Sequence, residues 1–483
     1  MKNKFISKVV AGFAFFVLCI TALVGCTPVK LGIETNANVT GNGGLAVQKG
    51  DYLYFVNGYT SASDMKDGDN KGGNNYSAIY RAKLDNGDLQ YDEDGNLKNA
   101  ERIVDKVVGF DKTKLYIFGD YIYYATPNTD KKDNDGTLAT AYDLTDFCVA
   151  RLDGKDQKMI YKTNVASDDT QYAFYAVEQK NLASQKLVFL AVYDSSKLVI
   201  INCSTKEQLF EAKNVSSVVM PQMRDYNAQN NAVSVQESTI YYARSSADDD
   251  NITSGNVLCS IKLGERQENV IAKGVNTYAV SDFASDALLF TQKRASSSDT
   301  AFHYVAKFDK EGNLLFQQAK QVDNMPTSNV LLCPYENGNY KGYIFQNDEK
   351  GITYCDANGD FRVLADGKEL TILDLENSKI YCHDSDNSLY AIDYTTGNLT
   401  TLYQSNATKQ NVDGKDETWP EIYFDAKTNF SIAGNYAYFY VKYTGTESGY
   451  YLNRVKVFDS ESDAELVGVL QKEHIKTNEE DAK

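Results

Sequence analysis

Short apolar runs rich in tyrosine recur along the chain at a mean interval of about 55 residues, which is repeat-like spacing. They are Tyr52-Leu-Tyr-Phe-Val56, Tyr121-Ile-Tyr-Tyr124, Lys186-Leu-Val-Phe-Leu190, Thr239-Ile-Tyr-Tyr242, Ala287-Leu-Leu-Phe290, Gly342-Tyr-Ile-Phe345, Lys379-Ile-Tyr-Cys382 and Tyr436-Ala-Tyr-Phe-Tyr440. Each is too short for a buried helix and is made of β-formers, so each predicts a strand.

Each run has similar neighbours. A short apolar segment precedes it across a tight turn, as in Lys114-Leu-Tyr-Ile-Phe-Gly119-Asp120 or Ser431-Ile-Ala-Gly434-Asn435. Gly-Asp and Gly-Asn suit tight hairpins because glycine accepts positive φ. A third segment follows a variable link: Ile79-Tyr-Arg-Ala-Lys-Leu84, Phe147-Cys-Val-Ala-Arg-Leu152 or Leu389-Tyr-Ala-Ile-Asp-Tyr394. A fourth comes after it, such as Gln157-Lys-Met-Ile-Tyr161 or Leu399-Thr-Thr-Leu-Tyr403. Four antiparallel strands repeated in this way predict an all-β chain folded as a β-propeller of about eight four-stranded blades. Irregularity in the third and sixth repeats leaves room for seven. A sheet of four short strands cannot bury its own faces, so neighbouring blades must cover them, and radial closure protects the edges.

The N-terminus follows another pattern. Lys2, Lys4 and Lys8 precede an apolar run of roughly 15 residues that ends at Leu23-Val24-Gly25-Cys26, the layout of a secretory signal peptide. A helix of that length rises about 22 Å, short of the roughly 30 Å hydrocarbon core. The expected organisation is a cleaved leader over 1–25, a polar tether over 26–43, the propeller over 44–470 and a charged tail over 471–483.

Composition narrows the partners. The 49 basic residues fall to 46 once Lys2, Lys4 and Lys8 leave with the leader, against 66 acidic ones, a net charge of −20. Such a surface disfavours nucleic acid. With 35 tyrosines, 6 prolines and a single tryptophan, the chain favours strands. Cys148, Cys203, Cys259, Cys333, Cys355 and Cys382 are widely spaced with no C-x-x-C pair, so buried free thiols are expected rather than a disulfide framework or zinc site.

Further resemblances follow from these residues. Leu23-Val24-Gly25-Cys26 resembles the lipobox of bacterial lipoproteins, which implies a lipid on the Cys26 thiol and a membrane as the first partner. The Tyr-rich strand with its Ile-Tyr-Arg-Ala-Lys-Leu-Asp third strand resembles the YWTD propellers of low-density-lipoprotein-receptor type. It is still more similar to a family of uncharacterised bacterial lipoproteins that share this propeller. Tyrosine or phenylalanine replaces the signature tryptophan, so the resemblance implies fold and location, not receptor functions. The segment 389–403 is similar to a single quinoprotein-type repeat, but Tyr403 stands where those repeats place tryptophan, so no quinone or other cofactor is expected.

In a propeller, links between second and third strands and links between blades emerge at one end. The long segments 58–76, 127–145, 245–256, 294–300 and 444–450 are of the first kind, and 214–231 and 404–429 of the second. Variable links on a rigid scaffold carry recognition. Among them stand aromatic and arginine side chains suited to anchoring a partner: Trp419, Tyr226, Arg224, Tyr59, Tyr142 and Tyr450. The segment from Asp92 to Glu101 has Gln90 where a calcium loop needs its first carboxylate, and His303, His383 and His474 are isolated, so no metal is expected. No nucleophile elbow, zinc-protease, P-loop or dinucleotide motif occurs. The expected function is a non-catalytic binding module for a protein, peptide or glycan, acting as a monomer outside the cytoplasm. An envelope-assembly scaffold and a glycoside hydrolase, whose paired carboxylates leave little local sequence trace, are the alternatives.

Overall fold

A computed structural model describes residues 37–58, 78–93, 97–104, 114–127, 145–163, 170–178, 186–194, 196–220, 239–246, 255–280, 287–293, 301–308, 314–318, 330–332, 335–336, 339–340, 342–347, 351–356, 358, 360–376, 378–405, 408–410, 416–418, 421–423, 430–443, 449–458 and 464–468. The first sheet holds β1 (Val39–Thr40), β2 (Ala46–Lys49), β3 (Tyr52–Val56), β4 (Ile79–Lys83) and β5 (Ala100–Val104). The second holds β6 (Tyr116–Phe118), β7 (Tyr121–Pro127), β8 (Thr145–Arg151) and β9 (Lys158–Lys162). The third holds β10 (Gln171–Glu178), β11 (Lys186–Tyr193), β12 (Lys197–Asn202) and β13 (Gln208–Lys213). A seven-stranded fourth sheet runs through β14 (Val215–Val219), β15 (Thr239–Ser245), β16 (Asn256–Lys262), β17 (Asn269–Val280), β18 (Ala287–Lys293), β19 (Ala301–Phe308) and β20 (Leu314–Gln318).

The fifth sheet comprises β21 (Val330–Leu332), β24 (Gly342–Asn347), β25 (Gly351–Asp356) and β26 (Phe361–Val363), with the small hairpin β22 (Tyr335–Glu336) and β23 (Asn339–Tyr340) inserted. The sixth is β27 (Thr371–Glu376), β28 (Lys379–His383), β29 (Leu389–Asp393) and β30 (Leu399–Tyr403). After a hairpin of β31 (Thr408–Gln410) and β32 (Asp416–Thr418), the last sheet joins β33 (Glu421–Tyr423), β34 (Phe430–Ala433), β35 (Tyr436–Tyr443), β36 (Gly449–Lys456) and β37 (Glu465–Leu466).

These seven sheets form a ring, and the protein is a β-propeller with seven blades counted by sheet. The four-stranded meander recurs eight times, and all eight Tyr-rich runs are its second strands: β3, β7, β11, β15, β18, β24, β28 and β35. The difference arises at β17. Its first half pairs with β16 and its second with β18, and Val275 is in register with both Asn256 and Gln292. The fourth and fifth meanders therefore merge into one sheet.

Alternate residues of a second strand serve opposite neighbours. In β35, Tyr436, Tyr438 and Tyr440 pack with Leu53, Phe55 and Tyr80 of the first meander. Between them, Ala437, Phe439 and Val441 pack with Tyr381, Leu389 and Ala391 of the seventh. In β28, Ile380 and Cys382 instead join Ile344 and Ile352 of the sixth. Both faces are dry, which is why these strands read as continuous apolar runs rather than alternating ones. Cys148, Cys259, Cys355 and Cys382 are free and buried in this packing.

No strand is shared between the first and last meanders among the described residues; closure falls to residues 39–45. β1 pairs with the axial edge of β2. Gly43 N donates to Leu115 O, and the Asn42 side chain both donates to Ile117 O and accepts from Ile117 N. On the other side, Leu45 N donates to Ser431 Oγ. This strap touches the second and the last meander at once, and it fits because of its glycines. A Cβ on Gly41, where φ is +80°, would stand 2.4 Å from the Ala433 Cβ.

Gly41→Val is expected to cost about 2–4 kcal/mol, from overpacking plus positive-φ strain. At Gly87 φ is +91° but nothing lies within 4 Å, so Gly87→Ala should cost about 1 kcal/mol from strain alone. Chemical denaturation of the two variants tests the strap: equal losses would deny Gly41 its packing role.

Candidate functional site

Contacts between neighbouring blades fix which links share an end. Tyr172 OH donates to Lys114 O, Val215 N to Ser196 O, and the Gln346 side chain to Leu370 O. All these groups lie at second-to-third or blade-to-blade links. At the opposite end, Lys49 Nζ donates to Gly119 O and Arg266 pairs with Glu207, which belong to hairpin turns. In the first four and last three meanders, the links from β3 to β4, β7 to β8, β15 to β16, β30 to β33 and β35 to β36 therefore start and finish at one end.

The structure corrects three of the expected links: because β17 runs unbroken from β16 to β18, the β18–β19 link expected over 294–300 starts and finishes at the hairpin end. Residues 214–231 were expected to join blades. Val215–Val219 instead forms β14, so the blade junction is Asn214 alone. The long segment that follows connects β14 to β15 and starts and finishes at the hairpin end. The link expected over 404–429 contains the β31–β32 hairpin, and β33 joins β35 within the last sheet. Two further links at the hairpin end are long: 84–99 and 333–341.

Tyr59, Tyr142, Arg224, Tyr226, Trp419 and the lipid-site Cys26 lie outside the described residues. The backbone of Tyr450 opens β36 opposite Lys442, at the long-link end. Sequence reasoning missed a group that the structure does assemble there. Asp384 Oδ1 accepts from the backbone of Asp386 and Ser388, and Tyr390 OH donates to Oδ2 at 2.7 Å. The exposed Lys368, from the preceding blade link, sets its ammonium 4.3 Å from the Tyr390 ring centroid. Burial, then the bond to Asp384, pushes the Tyr390 hydroxyl up to about 12. Tyr390 is itself buried, so what the group turns outward is the Lys368 ammonium beside the half-buried Asp384.

Between blades, a different arrangement recurs. Tyr54, Arg81 and Glu101 lie in register across β3, β4 and β5, as Tyr438, Arg454 and Glu465 do across β35, β36 and β37. In both, Nε and Nη2 of the arginine close on Oε2 of the glutamate, at 2.9 and 2.7 Å for Arg81 and 2.8 and 2.7 Å for Arg454. Each guanidinium also lies over a tyrosine two residues earlier on the second strand, Tyr52 at 5.4 Å and Tyr436 at 3.8 Å. Each row reaches the next blade: Arg81 donates to Leu152 O, and Tyr436 OH donates to Asp88. The signal was a lone arginine amid a third strand, in Ile-Tyr-Arg-Ala-Lys and Leu-Asn-Arg-Val-Lys, but register was needed to pair it.

A third cluster joins Arg244, Tyr242 and Glu268, with Arg244 Nη2 2.7 Å from Oε1 and Tyr242 OH donating to Oε2. Burial would raise the Glu268 pKa, but bonds from Arg244 and Tyr242 outweigh it and hold the carboxyl low. Burial likewise raises Tyr54, Tyr116, Tyr242, Tyr436, Tyr438, Cys203 and Cys382. A nucleophile needs its pKa lowered or a base beside it. These hydroxyls and thiols are held protonated and the arginines are spent on carboxylates, so the clusters bind blades together. Glu101, the last residue of the calcium-like stretch, is occupied by Arg81 in the same way.

Three outcomes check this. Glu465→Ala strands an Arg454 side chain that is 1% exposed and should cost about 3 kcal/mol. Glu101→Ala should cost about 1 kcal/mol, since Arg81 is 14% exposed and Glu101 62%; urea denaturation separates them. Groups with raised folded-state pKa values stabilise below the unfolded value of about 10 and lose that contribution as pH rises. The tyrosinate absorbance of the buried tyrosines and the circular dichroism should therefore change together in one cooperative alkaline transition above pH ~10; full ionisation of all 35 tyrosines without unfolding would contradict it. Glu268, with its pKa lowered, stabilises above about pH 4.3 and loses this as pH falls, so Glu268→Gln should flatten the acid limb of the stability profile.

No protein-family model and no curated protein matches the chain. Solved structures similar to it include AztD of Citrobacter koseri, at 10% identity and a TM-score of 0.39 over 82% of this chain and 93% of that one. The β-propeller domain of the trilobed protease from Pyrococcus furiosus is similar at 10% identity and a TM-score of 0.37, over 87% and 95%. The oligogalacturonate lyase of Vibrio parahaemolyticus follows at 10% and 0.35, over 78% and 97%. Likenesses this distant concern the fold alone.

Proposed function

We propose that the protein is an extracytoplasmic lipoprotein, held to a membrane through Cys26, whose propeller is a non-catalytic binding module for a protein, peptide or glycan at its long-link end. The observation that carries this reading is the division of labour in the ring. The Tyr-Arg-Glu rows are consumed in joining blades, and the tyrosines and thiols with shifted pKa values are held protonated. The long-link end meanwhile presents the Lys368, Asp384 and Tyr390 group beneath links long enough to carry recognition. The leader pattern ending at Cys26 supports the location, and the Tyr-rich repeat supports kinship with bacterial lipoproteins of YWTD-like fold.

Expressed with its leader in a bacterium, the protein should incorporate labelled palmitate and sediment with membranes, and Cys26→Ser should do neither. Retention of Cys26→Ser in the membrane would remove the lipid anchor. On glycan and peptide arrays, replacing 59–77 and 128–144 by short Gly-Ser links should abolish binding. Shortening 221–238, which starts from the opposite end, should leave it intact. Loss in both variants, or in neither, would refute the assignment of binding to the long-link end.

A further inference from the structure

The described chain begins at the end of the ring opposite the long links. Val39 is paired with Lys49 and Thr40 with Gln48, and Gly50 N donates to Asn38 O. Gly50 and Asp51 form the hairpin turn between β2 and β3. Asn38 is therefore beside a hairpin turn, and it is exposed. From there β1 runs antiparallel to β2 along its axial edge, the strap crosses between Ser431 and Leu115, and only then does β2 begin. One extra strand has reversed the end at which the chain enters.

Reach decides what this does. The eleven steps from Cys26 to Ala37 span at most about 38 Å when fully extended. To bring the long-link end to the membrane, that segment would cross four strand spacings, about 19 Å, and climb a strand of about 20 Å, before passing any link. That takes up its whole reach and leaves no slack. We infer that the lipidated protein stands with its hairpin end toward the membrane and its long-link end pointing away. The inference rests on the proposed lipid anchor and sharpens the partner: it approaches from the side away from the bilayer, as a soluble or wall-borne molecule does, rather than from within the membrane.

The test uses the full lipidated protein in vesicles of phosphatidylethanolamine and phosphatidylglycerol that carry a rhodamine headgroup lipid. A donor dye is placed at Asn435→Cys, an exposed residue of the β34–β35 hairpin turn, or at Asp386→Cys, an exposed residue of the β28–β29 link at the opposite end. Unsubstituted protein, in which four of the described thiols are buried, gives the background labelling. Energy transfer from position 435 should exceed that from position 386 at least twofold. Equal or reversed transfer overturns the orientation while leaving the anchor standing. Failure of the lipidated protein to float with the vesicles, or flotation of Cys26→Ser, overturns the anchor and with it the inference.

Discussion

Burial on both faces of every blade is the constraint from which the rest of this structure follows. A four-stranded sheet with strands of five to eight residues has no dry side of its own. Here Tyr438 must find Leu53 on one side while Phe439 finds Ala391 on the other. Each blade is stable only between two neighbours, so an open row would leave two wet apolar faces and the ring leaves none. At about 25 cal/mol per Å2, the aromatic side chains on one such face represent several kcal/mol that only closure recovers.

Closure is where the chain departs from its own repeat. The last meander is made of C-terminal strands and the first of N-terminal ones, so among the described residues the backbone supplies no shared ladder across the joint. The joint is made from side chains and a strap instead. Gly41 and Gly44 let the strap lie against Ala433 and Ser431, and the Arg454 row binds Tyr436 and, through it, Asp88 of the first meander. Burying a guanidinium costs desolvation that its partner only just offsets. An apolar joint of equal volume would be as stable, but it would accept either neighbour in several registers. The bond from Tyr436, held under Arg454, to Asp88 of the first meander accepts only one, and Arg81, donating to Leu152 O, sets the next joint.

The strands were legible because two-sided burial makes them, after the N-terminal run, the most apolar and aromatic stretches in the chain. All eight second strands follow from composition alone. What surrounded them was not. Val215-Ser-Ser-Val-Val219 precedes a long polar segment and reads as part of a link, yet its register with Tyr241, Tyr242 and Arg244 makes it a first strand. Asn269–Val280 holds Gly274 and Asn276, residues that ordinarily break a strand, yet it continues from one meander into the next. The arginine rows were invisible for a related reason. A strand position alternates between faces, and a charged residue there reads as solvent-facing until the neighbouring blade is known to cover it. Strand identity is local information, whereas the end at which a link emerges and the partner of a buried charge depend on what lies across the sheet.

Counting strands also governs how such a protein presents itself. A meander with an even number of strands returns the chain to the end it came from, so every second-to-third link and every blade junction between regular meanders shares one end. Added before the first meander, β1 makes five strands and moves the entry point to the other end. A tether attached there would hold the ring by its hairpin turns and leave the long links free. Without β1, entry would fall among the links. The strap therefore does two things with one stretch of glycine-rich chain: it completes the ring at the joint between the first and last meanders, and it sets the chain's entry at the end opposite the long links.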